Sequence, residues 1–170
     1  NNIHEVCSES YNFQKQLDEA CKKFNLKTLS IGYDPTTDIA DVPNNPKKRY
    51  KVMTREMPKN GELSLEMMYQ TCGTQINLDY TSEQDFIKKF KVISYLTPLT
   101  IALFSNSAIK KSKPTGFLSY RSKVWQNTSR GGLPKVFLEN MDFEKYADFS
   151  LDFKLLFLHD NNEYLSLIHI

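Results

Sequence analysis

The sequence predicts an α+β protein with a mostly antiparallel sheet. Helical and strand-like patterns follow one another without the regular strand–helix–strand alternation that a parallel sheet requires. No internal repeat occurs along the 170 residues. The pattern nearest the C-terminus, KLLFLHDNNEYL, is typical of a β-hairpin with its turn at Asn161 and Asn162. These observations favour strands that pair with their neighbours in sequence.

The N-terminal part predicts one helix and one strand. Residues 3–24 are expected to be helical, because mostly apolar side chains recur on one side: Ile3, Cys7, Ser10, Gln14, Leu17, Cys21 and Phe24. The stretch LKTLSIGYD (26–34) predicts a strand that ends at DPTTD. The loop 34–46 contains three prolines and is expected to be irregular.

A short helix and an alternating strand are predicted next. Pro46 is expected to open a helix that runs through Met57 and stops at Pro58 and Gly61. Polar and apolar residues then alternate within 68–80, as in a half-buried strand. One side of that strand carries Gln75, Asn77 and Asp79, and the other carries Ile76, Leu78 and Tyr80.

The remaining segments predict two helices, a long irregular segment and a third helix. Ser82 is expected to cap a helix in which Asp85 occupies the third position of a capping box. Its apolar stripe consists of Phe86, Phe90, Ile93 and Leu96. A second helix, apolar on nearly every side and therefore buried, is expected to begin at Pro98. Residues 105–134 show little periodicity, which indicates a functional or disordered segment, and a helix follows at 141–152.

Charge and composition exclude two kinds of partner. The 22 basic and 20 acidic side chains give a net charge of +2, which is too balanced for a protein whose main ligand is nucleic acid. No apolar run is long enough to span a bilayer, so no membrane partner is expected. The three cysteines form neither a zinc pattern nor a disulfide framework, so a reducing, cytoplasmic location is expected.

Arg121 is the first candidate for a binding residue. It lies in TGFLSYRSKVW among Ser119, Ser122 and Trp125. A guanidinium beside hydroxyls and an aromatic ring can hold a carboxylate or phosphate with two parallel hydrogen bonds. The alternative is an arginine that packs on Trp125 and pairs with a surface acid. Arg49 in KKRY is a second candidate anion ligand, or else an ordinary surface residue.

The polar side of the alternating strand is the second candidate. Gln75, Asn77 and Asp79 have side chains that can bind a nucleotide or metal-bound waters, although a polar strand face usually faces only solvent. Phosphate-loop and dinucleotide fingerprints are absent, and the histidines have no metal-ligand spacing. The residues by themselves therefore predict an α+β domain with an anion site.

Three segments together resemble glutamate–cysteine ligases of the proteobacterial and plant type. They are RYKVMTREMPKNGELSLEMMYQTCGTQINLDYTSEQDFIKKFKV (49–92), LTIALFSNSAIKKSKPTGFLSYRSKVW (99–125) and FEKYADFSLDFKLLFL (143–158). The family pattern near the second segment is approximately A-L-F-A-N-S-P-F, then G-K-P-N-G-F-L-S, an arginine, and a tryptophan four residues later. The similarity extends over nearly the whole chain.

The resemblance implies a fold and a reaction. The family belongs to the glutamine synthetase-like superfamily, in which a curved, largely antiparallel sheet with helices on one side forms the active site on its concave face. Its enzymes use ATP and Mg²⁺ to join the γ-carboxylate of glutamate to the amine of cysteine through a γ-glutamyl phosphate, the first step of glutathione biosynthesis. Phosphorylation is needed because a carboxylate is a poor electrophile.

The resemblance also implies roles for individual residues. It places Arg49 and Arg121 at the two arginines expected to hold glutamate. It places Gln75 and Asn77, with Asp79 at the strand end, on the side that faces nucleotide and metal. The positions expected to line the cavity are Asn106, Ser107, Ser119 and Trp125.

Two departures from the family pattern leave other functions open. SNSAI replaces the usual A-N-S-P-F, and QNTSRGGLPK is shorter than the acid-rich loop that usually follows Trp125. Another carboxylate–amine ligase of the same superfamily and a non-catalytic anion-binding relative therefore remain alternatives.

The resemblance predicts a partial catalytic domain over residues 1–164. The main carboxylate ligands of the family's metal ions precede this part of the sequence. Residues 165–170, LSLIHI, do not fit the family and match the translation of a transposon-end sequencing adapter. We expect the 170-residue chain by itself to be inactive. Clear formation of γ-glutamylcysteine from glutamate, cysteine and ATP-Mg²⁺ by this chain would contradict that expectation.

Overall fold

The computed structural model describes residues 2–128, 131–139, 141–153, 157–160 and 163–166. The chain forms two compact units, Asn1–Ser30 and Ile31–Ile170. Among the described residues, no helix combines the length and the apolar composition that crossing a membrane needs.

The first unit consists mainly of helix α1 (Ile3–Lys23), which confirms the helix predicted over 3–24. Asn2 caps it by accepting hydrogen bonds from the amides of His4 and Glu5. The Glu5 carboxylate accepts from the Asn2 amide in return, which completes a capping box. Residues 26–30 have no regular structure.

The second unit is rich in helices and has two short antiparallel hairpins. Its helices are α2 (Lys48–Glu56), α3 (Ser64–Gln70), α4 (Glu83–Leu103), α5 (Tyr120–Gln126) and α6 (Phe143–Leu151). Its paired strands are β1 (Ile109–Lys110) with β2 (Lys113–Pro114), and β3 (Phe157–Asp160) with β4 (Glu163–Ser166). Turns of 3₁₀ helix occupy Ile39–Asp41, Met57–Asn60 and Lys135–Leu138. This arrangement is compatible with the predicted α+β class.

The short helix predicted from Pro46 is confirmed with shifted ends. Helix α2 begins two residues later, at Lys48, and after Glu56 the chain tightens into the 3₁₀ turn Met57–Asn60. Gly61 follows this turn in an extended conformation, with φ 177°.

Two strand predictions are wrong. Within 26–34, Tyr33 alone forms a bridge, with Thr71, and residues 72–80 lack regular structure. The first part of the segment 68–80 belongs to α3, because SLEMMYQ is composed largely of good helix formers. An alternating pattern becomes a strand only where a neighbouring strand supplies hydrogen-bond partners. Beyond Cys72, whose amide donates to the Gly32 carbonyl at 3.1 Å, the described residues provide no backbone partner for this segment.

The two helices predicted after Ser82 are one continuous helix, α4. Ser82 is its N-cap as predicted, accepting from the Asp85 amide at 3.2 Å. Asp85 accepts in return from the Thr81 amide rather than from that of Ser82, so the predicted capping box is displaced by one residue. Pro98 lies inside the helix, which continues because only one backbone bond is lost there. The expected burial after Pro98 is wrong, because Leu103 is 70% exposed.

The segment predicted as irregular, 105–134, contains both β1–β2 and α5. The helix predicted over 141–152 is confirmed as α6, which Asp142 caps. The C-terminal hairpin is confirmed as β3–β4, although its predicted turn, Asn161 and Asn162, lies outside the described residues. Strand β4 includes the first two residues of the segment 165–170.

The core of the second unit lies where α3 and α5 pack together. Tyr33, Ser64 and Val124 are almost completely buried there, each at 1% exposure or less. A separate cluster of aromatic rings joins α4 to the 3₁₀ turn Lys135–Leu138 and to α6, formed by Phe86, Phe90, Phe137, Phe143, Tyr146 and Phe149. The first of these two cores positions the site described below.

We predict that Ser82→Ala destabilises the second unit by about 1 kcal/mol, because the first turn of α4 loses its side-chain cap. Ser82→Asp supplies another capping oxygen and is expected to stay near the wild-type free energy of unfolding. Urea denaturation followed by circular dichroism measures both. Equal stability of Ser82→Ala and Ser82→Asp would contradict the role of the cap.

Candidate functional site

Four short backbone segments lie side by side and form the frame of the site. Tyr33 bridges Thr71 in antiparallel fashion, and Ser107 bridges Ser119 in parallel fashion. The Gly32 amide donates to the Asn106 carbonyl at 3.5 Å and thereby joins the two pairs. Tyr33 and Thr71 of this frame belong to the segments 26–34 and 68–80, in which strands were predicted.

Arg121 lies beside this frame in the first turn of α5. Its backbone amide donates to Ser107 Oγ at 3.1 Å, which connects the helix start to the frame. Ser119 caps α5 by accepting from the Ser122 amide. Ser119, as the N-cap, therefore determines where α5 begins and thereby the direction of the Arg121 side chain.

Two contacts hold the guanidinium of Arg121. Nε donates to the Cys72 carbonyl oxygen at 2.8 Å. Cζ lies 5.4 Å from the centre of the Trp125 ring, one helical turn further along α5. A guanidinium over an aromatic face is stabilised by the charge distribution of the ring. Arg121 is therefore held at one nitrogen and on one face.

Two glycines permit this close packing. A Cβ atom at Gly73 would lie 2.7 Å from Arg121 Nη2. One at Gly32 would lie 2.8 Å from Asn106 Oδ1 and 3.3 Å from Arg121 Cδ. Sequence reasoning missed both glycines, although an isolated glycine in a strand-like stretch is a known signal of close backbone approach.

The terminal nitrogens of Arg121 remain available for a ligand within the part of the chain that the structure describes. No carboxylate there forms an ion pair with Arg121, and its only side-chain hydrogen bond there uses Nε. The alternative was an arginine that packs on Trp125 and pairs with a surface acid. The packing on Trp125 is observed, but none of the described acids pairs with Arg121. The geometry suits bidentate binding of a carboxylate or phosphate.

The structure brings five of the predicted site residues together. Around the frame and the start of α5 lie Asn106, Ser107, Ser119, Arg121 and Trp125. The remaining predicted residues do not share described contacts with this group. Arg49 is exposed on α2, where its guanidinium lies 5.1 Å from the Tyr50 ring centre.

The segment predicted as a half-buried strand is exposed on both sides, since Ile76 is 80% exposed and Leu78 55%. Gln75 Nε2 donates to Asn77 Oδ1 at 2.8 Å, so these two side chains lie on the same side of the chain. The Asp79 carbonyl accepts from Lys89 Nζ at 2.7 Å. All three polar residues are exposed. They follow Gly73, which lies directly against Arg121.

A partly buried polar network adjoins the site, and sequence reasoning missed it entirely. We call it the Glu66 network; its members are Tyr33, Glu66, Gln70, Lys110 and Tyr120. Glu66 Oε1 accepts from Lys110 Nζ at 2.6 Å, and Oε2 accepts from the Tyr33 hydroxyl at 2.8 Å. Lys110 Nζ also donates to the Tyr120 hydroxyl at 2.9 Å. Tyr33, Lys110 and Tyr120 lie 33 to 54 residues from Glu66 along the chain, which hides them from sequence patterns.

Burial and the Glu66 carboxylate perturb two groups of this network. Burial, the hydrogen bond to Glu66 and the Glu66 charge raise the pKa of Tyr33 well above its ordinary value. Burial acts to lower the pKa of Lys110, but its hydrogen bonds to Glu66 and Tyr120 and the Glu66 charge outweigh burial and raise that pKa. Tyr33 is therefore neutral and Lys110 charged at neutral pH.

Metal ligands are not assembled in the described part of the chain. No group of three or more histidine, cysteine, aspartate or glutamate side chains there could hold a metal ion. All three cysteines are free. The described residues thus include no carboxylate cluster for Mg²⁺.

Comparison with known proteins identifies the class. Residues 1–162 match glutamate-cysteine ligase family 2 (GCS2), and the chain belongs to this family. It is 40% identical over 166 residues to chloroplastic glutamate–cysteine ligase A of Oryza sativa subsp. japonica. The aligned region covers 96% of this chain and 34% of the rice protein. The chloroplastic glutamate–cysteine ligase of Arabidopsis thaliana is also 40% identical, and the aligned region covers 96% of this chain and 32% of the Arabidopsis protein. That of Medicago truncatula is 39% identical, with 96% and 33% covered.

These relatives extend and correct the sequence-based expectations. The predicted resemblance to glutamate–cysteine ligases is confirmed. The chain spans about a third of the length of the relatives it matches. The predicted cytoplasmic location is wrong, because the relatives are named chloroplastic, which points to a plastid. Unpaired cysteines indicate a reducing compartment but do not tell which one.

We predict that Gly73→Ala displaces the Arg121 guanidinium without unfolding the protein. The three atoms nearest the new methyl group all belong to the flexible end of that side chain. The free energy of unfolding is expected to change by less than about 1 kcal/mol. The fluorescence of Trp125, the only tryptophan of the chain, is expected to change because the cation over its ring moves. Wild-type emission from Gly73→Ala would contradict the described packing.

We predict that the second unit loses stability as the pH rises above about 10. The pKa values of Tyr33 and Lys110 are higher in the folded chain, so the unfolded chain releases these protons first and alkaline pH favours unfolding. Tyr33→Phe removes one of the two groups, so its loss of stability between about pH 9 and 11 should be shallower. Urea denaturation at several pH values measures the two slopes, and identical slopes would exclude Tyr33 as a contributor.

Proposed function

We propose that the protein containing this chain joins the γ-carboxylate of L-glutamate to the amine of L-cysteine, through a γ-glutamyl phosphate formed with ATP. Family membership and the names of the relatives support this proposal. The observation in the structure that carries it is the Arg121 guanidinium, which is held at Nε and on one face while its terminal nitrogens point to no described acid. The plastid is the location we propose.

Arg121 serves in this proposal as the ligand of a glutamate carboxylate. Glutamate has two carboxylates, and only one of them may react. Binding the other one bidentately fixes the position and orientation of the substrate, which is where much of the rate enhancement of a two-substrate reaction arises. The contacts with Cys72 and Trp125 keep the guanidinium in one geometry before glutamate arrives, which reduces the entropy lost on binding.

The remaining predicted residues keep their proposed roles around Arg121. Arg49 is proposed as the second arginine that binds glutamate. Gln75 and Asn77, with Asp79, are proposed to face the nucleotide, and their exposed position next to Gly73 supports this. The proposed lining of the cavity consists of Asn106, Ser107, Ser119 and Trp125.

The glutamine synthetase-like fold is also part of the proposal. Four backbone segments aligned side by side at Gly32, Thr71, Asn106 and Ser119 resemble the edge of such a sheet and support it. Family members depend on ATP and Mg²⁺. The described residues do not supply a carboxylate set that fits Mg²⁺, so we assign no step of the reaction to a metal ion here.

We propose residues 1–164 as sequence of the ligase domain and residues 165–170 as an addition from a sequencing adapter. The family match through residue 162 supports this boundary. Resequencing the source gene across the codons for LSLIHI tests the proposal. Recovery of the same six codons in independent genomic reads would refute it.

We predict that Arg121→Lys lowers kcat/KM for glutamate by about 10- to 100-fold, because a lysine cannot replace two hydrogen bonds from a planar guanidinium. The intact ligase containing this chain is assayed for γ-glutamylcysteine at varied glutamate and saturating cysteine and ATP. Arg55→Lys is the matched control, since Arg55 is a surface residue paired with Glu56.

Each result of this assay distinguishes a different part of the proposal. Absence of product from the wild-type enzyme would refute the ligase function. An active wild type with equal effects of Arg121→Lys and Arg55→Lys would retain the function but remove Arg121 from the substrate site. An effect on KM for cysteine alone would assign Arg121 to the other substrate.

A further inference from the structure

We infer that Lys110 and Glu66 are positioning residues that hold Arg121 in its binding geometry, an inference that rests on the proposed function of Arg121 as a glutamate ligand. Neither residue needs to touch the substrate. They act through the two structural elements that determine where the Arg121 guanidinium lies.

The first of these elements is the start of α5. Lys110 Nζ forms an ion pair with Glu66 Oε1 at 2.6 Å and donates to the hydroxyl of Tyr120 at 2.9 Å. Tyr120 is the residue immediately before Arg121 and the first residue of α5. Lys110 Nζ also lies 5.0 Å from the centre of the Tyr120 ring. The ion pair therefore restrains the residue adjacent to Arg121.

The second element is α3, which carries the acceptor of the Arg121 hydrogen bond. Glu66 and Gln70 both lie within hydrogen-bond distance of the buried Tyr33 hydroxyl, at 2.8 and 2.7 Å. Helix α3 ends at Gln70, and the carbonyl of Cys72, two residues later, accepts from Arg121 Nε at 2.8 Å. Glu66 thus links α3, which precedes the accepting Cys72 carbonyl, to the start of α5, which carries the donating Arg121.

Burial makes this link sensitive to the loss of either charge. The side chains of Glu66 and Lys110 are 15% and 27% exposed. A carboxylate that loses its ammonium partner in such a place is left poorly solvated, and the surrounding groups rearrange to recover hydrogen bonds. Because α3 and α5 share this carboxylate, rearrangement changes the spacing between Cys72 and Arg121.

The hairpin that carries Lys110 offers a matched control. Lys111 is the next residue, and it pairs with Asp38 at the surface, with the two side chains 54% and 42% exposed. Lys110→Met and Lys111→Met remove the same charge from the same hairpin. Only the first of them breaks a contact with α3 and α5.

The first experiment reads the Arg121 contact directly and does not depend on catalysis. In the full chain labelled with ¹⁵N-arginine, the Nε–H signal assigned by its loss in Arg121→Lys is expected to exchange slowly with water. Lys110→Met is expected to raise its exchange rate at least about tenfold, because the hydrogen bond to Cys72 is no longer maintained. Lys111→Met is expected to leave the rate unchanged, and Lys110→Arg is expected to restore protection.

The second experiment measures the consequence in the intact ligase. Lys110→Met is expected to raise KM for glutamate about five- to tenfold with a smaller change in kcat and none in KM for ATP. A purely structural role would lower the melting temperature and the active fraction without changing KM. Glu66→Gln, which keeps size and one acceptor, provides a milder variant if Lys110→Met does not fold.

The outcomes separate this inference from the proposed function. An inactive wild type would refute the ligase function, whereas increased exchange of Arg121 Nε–H in Lys110→Met would still support the positioning role. Slow exchange retained in Lys110→Met and in Glu66→Gln, or equal effects of Lys110→Met and Lys111→Met, would overturn the positioning role whether or not the enzyme is active.

Discussion

The partly buried carboxylate of Glu66 connects separate segments of the second unit through its hydrogen bonds. A carboxylate in a largely buried place must be surrounded by donors, or its lost hydration destabilises the fold. Here the donors are Tyr33, Lys110 and Tyr120, which belong to three segments that each lie at least 33 residues from Glu66 along the chain. Satisfying one charge therefore brings together α3, the β1–β2 hairpin, the start of α5 and the segment around Tyr33.

Arg121 lies beside the Glu66 network but contacts other residues. Its Nε meets the Cys72 carbonyl, and its face meets Trp125. Gly73, which has no side chain, leaves room for the guanidinium. The amide of Tyr120, the residue before Arg121, donates to the Ser107 carbonyl of the frame and so holds the start of α5. The result is a cation held in place by packing, one neutral acceptor and an aromatic ring, a geometry that suits the carboxylate binding we propose.

Local physical rules predicted the segments of helices α1, α2, α4 and α6, but they missed α3, which lies partly in a predicted strand, and α5, which lies in the segment predicted as irregular. A capping residue followed by an apolar stripe defines α4 and α6 from neighbouring residues alone, and both begin where Ser82 and Asp142 cap them. Strands were predicted poorly, because alternation describes one segment while a sheet needs two. The segments around Tyr33 and Thr71 pair over a single bridge, and no periodicity could have shown how short that pairing is. The metal ligands expected for the family are not assembled among the described residues.

The sequence by itself determined the family, the segments of helices α1, α2, α4 and α6, and the residue types around Arg121, since these depend on spacing along one stretch of chain. Arg121, Ser119 and Trp125 are neighbours on one short segment, so their association was visible from the start. Tertiary structure alone decided that Arg121 Nε would meet Cys72, 49 residues away. It alone also placed Lys110 opposite Glu66, because the need to pair a buried charge is satisfied in space and not along the chain.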